Sequence, residues 1–156
     1  MAAAIVVPVP GGVSLELTEL VLDFNGTLAL DGHLLPGVEP LLRSLAGLVR
    51  IHVLTADTHC NSASALAGLP VTLHLIRDGA DKQAYVEALG SAGVVAVGNG
   101  RNDVAMLRVA GLGMVVVGPE GAAGEAIAAA RVVVADISTA LELLRQPLRL
   151  TATLRA

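Results

Sequence analysis

Short apolar runs alternate along this chain with Ala- and Leu-rich stretches of helical spacing. Ile5-Val6-Val7 and Val13 to Leu17 flank a Pro-Gly-Gly turn and predict a β-hairpin. Leu20 to Asp23 is the next strand. Pro36-Gly37 opens a helix to about Leu48, with Pro36 suited to a first helical turn. Residues 50–55 alternate as a strand, Asn61 to Ala67 is a short helix closed by Gly68, and 71–76 is again a strand. A helix is predicted over 81–89, with Asp81 as its cap and Gly90 as its stop. Strands at 94–97, 114–117 and 132–134 then alternate with helices at 102–110, 121–130 and 138–144, and Pro147 follows the last helix.

Strand–helix alternation with continuously apolar strands implies a parallel sheet covered on both faces. The expected architecture is a three-layer, Rossmann-like α/β domain with a central parallel sheet and an N-terminal β-hairpin. No stretch reads as a linker, a repeat or a low-complexity block, so residues 1–156 are expected to form one domain, with its core at about 20–145 and a tail at 146–156. In that tail Leu148, Leu150, Ala152 and Leu154 alternate with Arg149, Thr151, Thr153 and Arg155. The period of two predicts an edge strand, on this chain or on a partner chain; the alternative is a frayed terminus.

Composition narrows the class. Apolar residues make up 54% of the 156, and Phe24 and Tyr85 are the only aromatics, so the core is aliphatic. No apolar run approaches the roughly 18 uninterrupted residues of a membrane span, and no membrane association is expected. No basic residue precedes the first apolar segment, which therefore does not read as a secretory signal. Cys60 is the only cysteine, which excludes an intrachain disulfide and suits a cytoplasmic location. The net charge of −4 argues against nucleic acid as a partner. So few charges on so apolar a chain point to surface buried between subunits, as in a homo-oligomer.

In open parallel sheets ligands bind beyond the carboxyl ends of the strands, so the polar residues there carry the candidate chemistry. The first strand ends in Asp23-Phe24-Asn25-Gly26-Thr27, a carboxylate followed by a turn. Thr27 can offer a hydroxyl and a backbone N–H to an anion. The second strand ends in Thr55-Ala56-Asp57. Asp81-Lys82 follows the third, and Gly98-Asn99-Gly100-Arg101-Asn102-Asp103 the fourth. Each has a purely structural alternative. Asp23 can bond its own turn, Thr55 can be an ordinary strand-end hydroxyl, Lys82 a solvated lysine, and Asn102 and Asp103 helix caps. Together they form a set that phosphoryl transfer needs. Asp23 attacks phosphorus, Thr55 and nearby N–H groups hold phosphoryl oxygens, Lys82 neutralises charge, and Asp103 binds Mg²⁺ with Asp23 and a backbone carbonyl.

With these motifs the chain resembles the haloacid dehalogenase superfamily of phosphotransferases. The matching segments are Asp23-Phe24-Asn25-Gly26-Thr27, Leu54-Thr55-Ala56-Asp57, Lys82, and Gly98 to Leu107, across about Leu20 to Ile137. Within the superfamily it is similar to small soluble proteins related to the phosphorylation domain of P-type ATPases. The resemblance implies that Asp23 is the nucleophile, Thr55 and Lys82 phosphoryl binders, and Asp103 a metal ligand. It further implies that the carbonyl of Asn25 ligates Mg²⁺ and that Asn102 and Gly26 support the site. Phosphatases of the family carry Asp two residues after the nucleophile, to protonate the leaving group and activate water. Asn25 cannot titrate, so slow turnover of alkyl monoesters is expected, and less loss on acyl or aryl phosphates. The substrate would be a phosphorylated small molecule or a phosphoprotein.

Only 32 positions separate Asp23 from Thr55, and 27 separate Thr55 from Lys82. Neither interval has room for a cap domain or a nucleotide-binding domain. The other readings are a binding or regulatory module that keeps the metal site without efficient turnover, and an assembly protein using its apolar surface and tail. His52 and His74 fall inside strands, as packing or surface residues. Asp31-Gly32 reads as a turn with His33 in it, His59 and Cys60 fall near the site rim, and Gly118-Pro119-Glu120-Gly121 is a loop at the same sheet edge.

Overall fold

The computed structural model describes residues 3–56 and 61–156. Strands β1 (Ile5–Val7) and β2 (Leu15–Leu17) pair antiparallel as the N-terminal hairpin. The central sheet contains β3 (Glu19–Asp23), β6 (Arg50–Thr55), β7 (Thr72–Leu75), β8 (Val94–Gly98), β9 (Leu112–Val116) and β10 (Val132–Val134). It is parallel throughout, in the order β10-β9-β8-β3-β6-β7. Helices α1 (Val38–Leu45), α6 (Ile137–Arg145) and α7 (Pro147–Leu154) gather on one face, and α3 (Gly79–Leu89), α4 (Val104–Val109) and α5 (Gly124–Ala129) on the other. The remaining helix, α2 (Asn61–Leu66), lies between β6 and β7 in sequence. This is the three-layer α/β architecture that the strand pattern implies.

Continuous apolar strands are explained by burial on both faces. In β3, Leu20 and Leu22 join the core under α1 and α6, while Val21 points into the core under α3 and α4. Val95 and Val97 of β8 face the first core, and Val94 and Ala96 the second. Gly113 lets α4 lie close on the sheet, since a Cβ there would stand 2.3 Å from the carbonyl oxygen of Leu107. At the amino end of the sheet buried Glu19 pairs with Arg50 and His52, and His52 Nδ1 lies 2.7 Å from the Tyr85 hydroxyl. His52 is thus a packing residue with both ring nitrogens engaged.

Several boundaries differ from the sequence reading. A small hairpin, β4 (Ala29–Leu30) and β5 (His33–Leu34), follows β3 directly. Its turn is Asp31-Gly32, both at positive φ as a two-residue hairpin of this hand requires, and His33 belongs to β5. Helix α3 begins two residues before Asp81. Its cap is Asp78, whose side chain accepts from the Asp81 N–H, while Asp81 ties back to Arg77. Between β3 and β6 the chain forms only β4, β5 and α1, so no cap domain is inserted there. Asp57, His59 and Cys60 lie outside the described residues.

The largest correction concerns the tail. Residues 147–154 form α7, not an edge strand, with Pro147 in the first turn. The period-two pattern misleads because only some of its leucines are buried. Leu150 is fully buried and Leu154 packs against the same core, four residues on, whereas Leu148 is 73% exposed. The helix packs on β1, and the N–H of Ala156 donates to the carbonyl of Pro10. Leu150→Ala is therefore expected to lower the unfolding free energy by about 2–4 kcal/mol, and Leu148→Ala by no more than about 0.5 kcal/mol. Urea midpoints at unchanged slope measure both; equal losses would be the signature of a strand, in which the two side chains share a face.

Candidate active site

The strand order sets the site. β3 lies between β8 and β6, so Asp23, Thr55 and Gly98 all end at the same carboxyl edge. Lys82, in the second turn of α3, reaches this edge from the adjacent helical layer. Its ammonium donates to Asp23 Oδ1 and to Asp103 Oδ1, both at 2.7 Å. Lys82 and Asp103 are fully buried, and Asp23 retains 9% exposure. A lysine so buried is tolerated only when paired, and this one is paired twice.

Asp103, expected as a metal ligand, is committed elsewhere. Its Oδ1 accepts from Lys82, and its Oδ2 accepts from the N–H groups of Asn99 and Gly100, each at 3.0 Å. Gly98 makes this possible, because a Cβ at that position would stand 2.4 Å from Asp103 Cγ. Asp103 thus anchors the lysine and closes the turn after β8.

The residue of this turn that meets the loop after Asp23 is Asn99. The Thr27 hydroxyl sits 3.4 Å from Asp23 Oδ2 and 3.3 Å from Asn99 Oδ1, with one proton to give to either. Asn99 Nδ2 donates to the carbonyl of Gly121 at 3.1 Å. The Thr27 N–H is used within the turn, donating to the Phe24 carbonyl, and Thr27 is fully buried. It backs the carboxylate from behind. Asp23 Oδ2 is left as the more lightly held oxygen, and Asn25 beside it is exposed. Gly26 takes φ +78, and a Cβ there would stand 2.7 Å from Asn99 Nδ2. Asn99 was given no role in the sequence reading, although it is the first polar residue after β8 and the strand-end rule points to it.

Other expected residues lie further out. Thr55 is buried at the end of β6, next to β3. Ala56 is exposed at the edge, and Asp57 falls outside the described residues. Among the described residues Asn102 forms no side-chain hydrogen bond near Asp23; it lines a groove of about 430 Å³ with Gly79, Arg101 and Arg108. Its carbonyl lies 2.7 Å from where a Cβ of Gly79 would be, so it packs against the start of α3.

No family model matches the chain. Over 62 residues, 40% of its length, it is 47% identical to an uncharacterized protein of Methanocaldococcus jannaschii, covering 67% of that protein. Among solved structures it is similar to 3-deoxy-D-manno-octulosonate 8-phosphate phosphatase of Moraxella catarrhalis, whose structure holds magnesium, phosphate and the sugar acid. The TM-score is 0.67 at 15% identity, over 87% of this chain and 90% of that one. It is also similar to a zinc-transporting PIB-type ATPase, with TM-score 0.64 and 20% identity, over 76% of this chain and 20% of that one. The fold is that of the haloacid dehalogenase superfamily, shared by its phosphatases and by P-type ATPase catalytic domains. Among the described residues no helix is long and apolar enough to cross a membrane.

The electrostatics of the triad yield a test. Burial, and then the Asp103 carboxylate, push the Asp23 pKa from 3.8 up to about 6, against the pull of Lys82. Burial works to lower the Lys82 pKa, but Asp23 and Asp103 outweigh it and hold that pKa above the usual lysine range. Asp23 therefore binds a proton more tightly folded than unfolded, and stability falls as pH rises from about 3.8 to about 6. In metal-free buffer Asp23→Asn is expected to exceed the wild type in stability at pH 7 by roughly 1–3 kcal/mol. That advantage should shrink as pH falls toward 4. Denaturation midpoints across this window measure it, and a pH-independent difference would contradict a raised Asp23 pKa.

Proposed function

We propose that this chain is a divalent-metal-dependent phosphohydrolase of the haloacid dehalogenase type, working through an aspartyl-phosphate on Asp23. The observation that carries this reading is the Lys82 ammonium between the buried Asp23 and Asp103 carboxylates, at 2.7 Å from each. A fixed cation at one oxygen of Asp23 favours its ionised form and leaves the other more lightly held, with the Thr27 hydroxyl 3.4 Å away. The same cation offsets charge where phosphoryl oxygens gather. In the proposed first step Asp23 Oδ2 attacks phosphorus, the bond to the leaving oxygen breaks, and that oxygen departs with the electron pair. Thr55, with Ala56 and Asp57 beyond it, is the proposed phosphoryl-binding side, Gly26 and Thr27 shape the nucleophile's turn, and Asn102 supports α3.

The donors near Asp23 fit a hard cation such as Mg²⁺. They are the Asp23 carboxylate, the Asn25 carbonyl and the Asn99 side-chain oxygen, all oxygens, with Asp23 alone charged. Among the described residues no group of three or more acidic, His or Cys side chains forms a metal cage. Mg²⁺ commonly takes one or two carboxylates, several waters and the substrate's phosphate oxygens, which suits so sparse a set. When bound, it would offset charge on the phosphoryl group.

Asn25 shapes the expected substrate range. It has no proton to give, so leaving groups that need one, such as alkyl alcohols, depart slowly, while acyl and aryl phosphates suffer less. The uncapped edge suits a phosphorylated metabolite or a phosphoprotein, and a cytoplasmic homo-oligomer remains the proposed setting. The second reading is a binding or regulatory module with weak turnover. It is favoured by the exposed amide of Asn25 and by the Asn99 amide, two neutral groups beside the nucleophile.

With Mg²⁺ and acetyl phosphate the wild type is expected to release phosphate over hours, and beryllofluoride to trap on Asp23. Asp23→Asn should do neither; wild-type turnover in that variant would refute the nucleophile. Asn25→Asp is expected to raise alkyl monoester hydrolysis by about 10²-fold, the low end of general acid–base catalysis. A folded Asn25→Asp protein with unchanged rate would remove Asn25 as the cause of slow turnover.

A further inference from the structure

Glu120 lies over the nucleophile's turn. It belongs to the loop between β9 and α5, where Gly118 at φ +48 and Gly121 at φ +73 bend the chain back toward β3. The loop is held from two sides. On one, the N–H groups of Val117 and Gly118 donate to the carbonyls of Val134 and Ala135. On the other, Asn99 Nδ2 donates to the Gly121 carbonyl and the Ala123 N–H donates to the Asn99 carbonyl. Between these ties the Glu120 carboxyl comes to Gly26. Its Cδ and Oε1 each stand 3.1 Å from the position a Gly26 Cβ would occupy, and Asn99 Nδ2 stands 2.7 Å from the same point.

That point is linked to Asp23 Oδ2 through the Asn99 amide and the Thr27 hydroxyl. Gly26 is three residues past Asp23, and the other end of the Asn99 amide meets the Thr27 hydroxyl that also lies against Asp23 Oδ2. Glu120 is exposed, and among the described residues it makes no ion pair. Its neighbour Glu125, by contrast, pairs with Arg101. A carboxylate with no cation holding it is free to accept a proton from water. Asn25, at the mouth of the same turn, cannot take a proton.

We propose that Glu120 is the general base for hydrolysis of the aspartyl-phosphate. This rests on the reading of Asp23 as the nucleophile. A water oxygen attacks phosphorus as the bond between phosphorus and Asp23 Oδ2 breaks. The bonding pair returns to the Asp23 carboxylate, one water proton passes to the Glu120 carboxylate, and inorganic phosphate leaves. Glu120 then loses its proton to solvent. Leaving-group departure in the first step gains nothing from it as a base, so alkyl monoesters stay poor substrates while a preformed intermediate is resolved.

Acetyl phosphate separates the steps, because its leaving group needs no acid. With Mg²⁺ and acetyl phosphate, rapid acid quench would follow phosphoenzyme formation and phosphate release in the wild type, Glu120→Gln and Glu120→Gln/Asn25→Asp. Glu120→Gln is expected to form phosphoenzyme at the wild-type rate and release phosphate about 10²-fold more slowly, so that phosphoenzyme accumulates. Placing a carboxylate at position 25 in that background should restore release. Release at the wild-type rate in Glu120→Gln, or equal slowing of formation and release as from a displaced loop, would overturn the role of Glu120 while leaving Asp23 as nucleophile. Absence of phosphoenzyme in the wild type would instead overturn the Asp23 reading itself.

Discussion

Two carboxylates buried side by side cannot both stay ionised without a cation between them, and Lys82 is that cation. Its ammonium joins β3, through Asp23, to the turn after β8, through Asp103. The third contributor is α3, whose capping by Asp78 fixes where the lysine starts. Three separate elements, from the sheet and one helical layer, thus converge on one nitrogen. Removing the lysine would leave two buried carboxylates without their cation, typically a loss of about 3–5 kcal/mol. The triad is therefore a structural tie, and the arrangement of its neighbours follows from it.

Asp103 shows how. A carboxylate at this position in sequence reads as a cation ligand, but the lysine and two backbone N–H groups take up both its oxygens. The outward position falls to Asn99. An amide there does what a carboxylate could not, because it accepts at Oδ1 near Thr27 while donating from Nδ2 to Gly121. An aspartate would have two acceptors and no donor. The asparagine thus exchanges one negative charge at the site for a bond that holds the β9–α5 loop against the turn after Asp23.

With both Asn25 and Asn99 neutral, the side chains around Asp23 carry little charge for a divalent ion. The charges of Asp23, Lys82 and Asp103 sum to one negative unit when Asp23 is ionised. On the proposed reading, so weakly charged a site would take Mg²⁺ mainly together with a phosphoryl group. Glycines make the crowding workable. Gly98 and Gly26 leave space that a single methyl group would fill against Asp103 and Asn99.

Much of the fold was legible because burial writes directly into composition. Central strands of a parallel sheet lose both faces to solvent, so Leu20-Val21-Leu22 and Val94 to Val97 appear as unbroken apolar runs. The strand-end rule then placed Asp23, Thr55 and Lys82 at one edge. Local patterns failed where tertiary contacts chose among near-equal local options. Leu148 and Leu150 look alike in an alternating tail, yet packing on β1 buries one and leaves the other in water as α7 forms. Asp78 and Asp81 both suit a helix start, and the bond from the Asp81 N–H to Asp78 decided which caps α3. The sequence thus carried the α/β class, the carboxyl edge and the turn after Asp23, since these follow from hydrophobic periodicity and chain order. Which oxygen of Asp23 the lysine holds, why Asp103 is spent on Lys82, and how Glu120 comes to lie over Gly26 depend on distances between residues far apart in the chain, which only the packed structure sets.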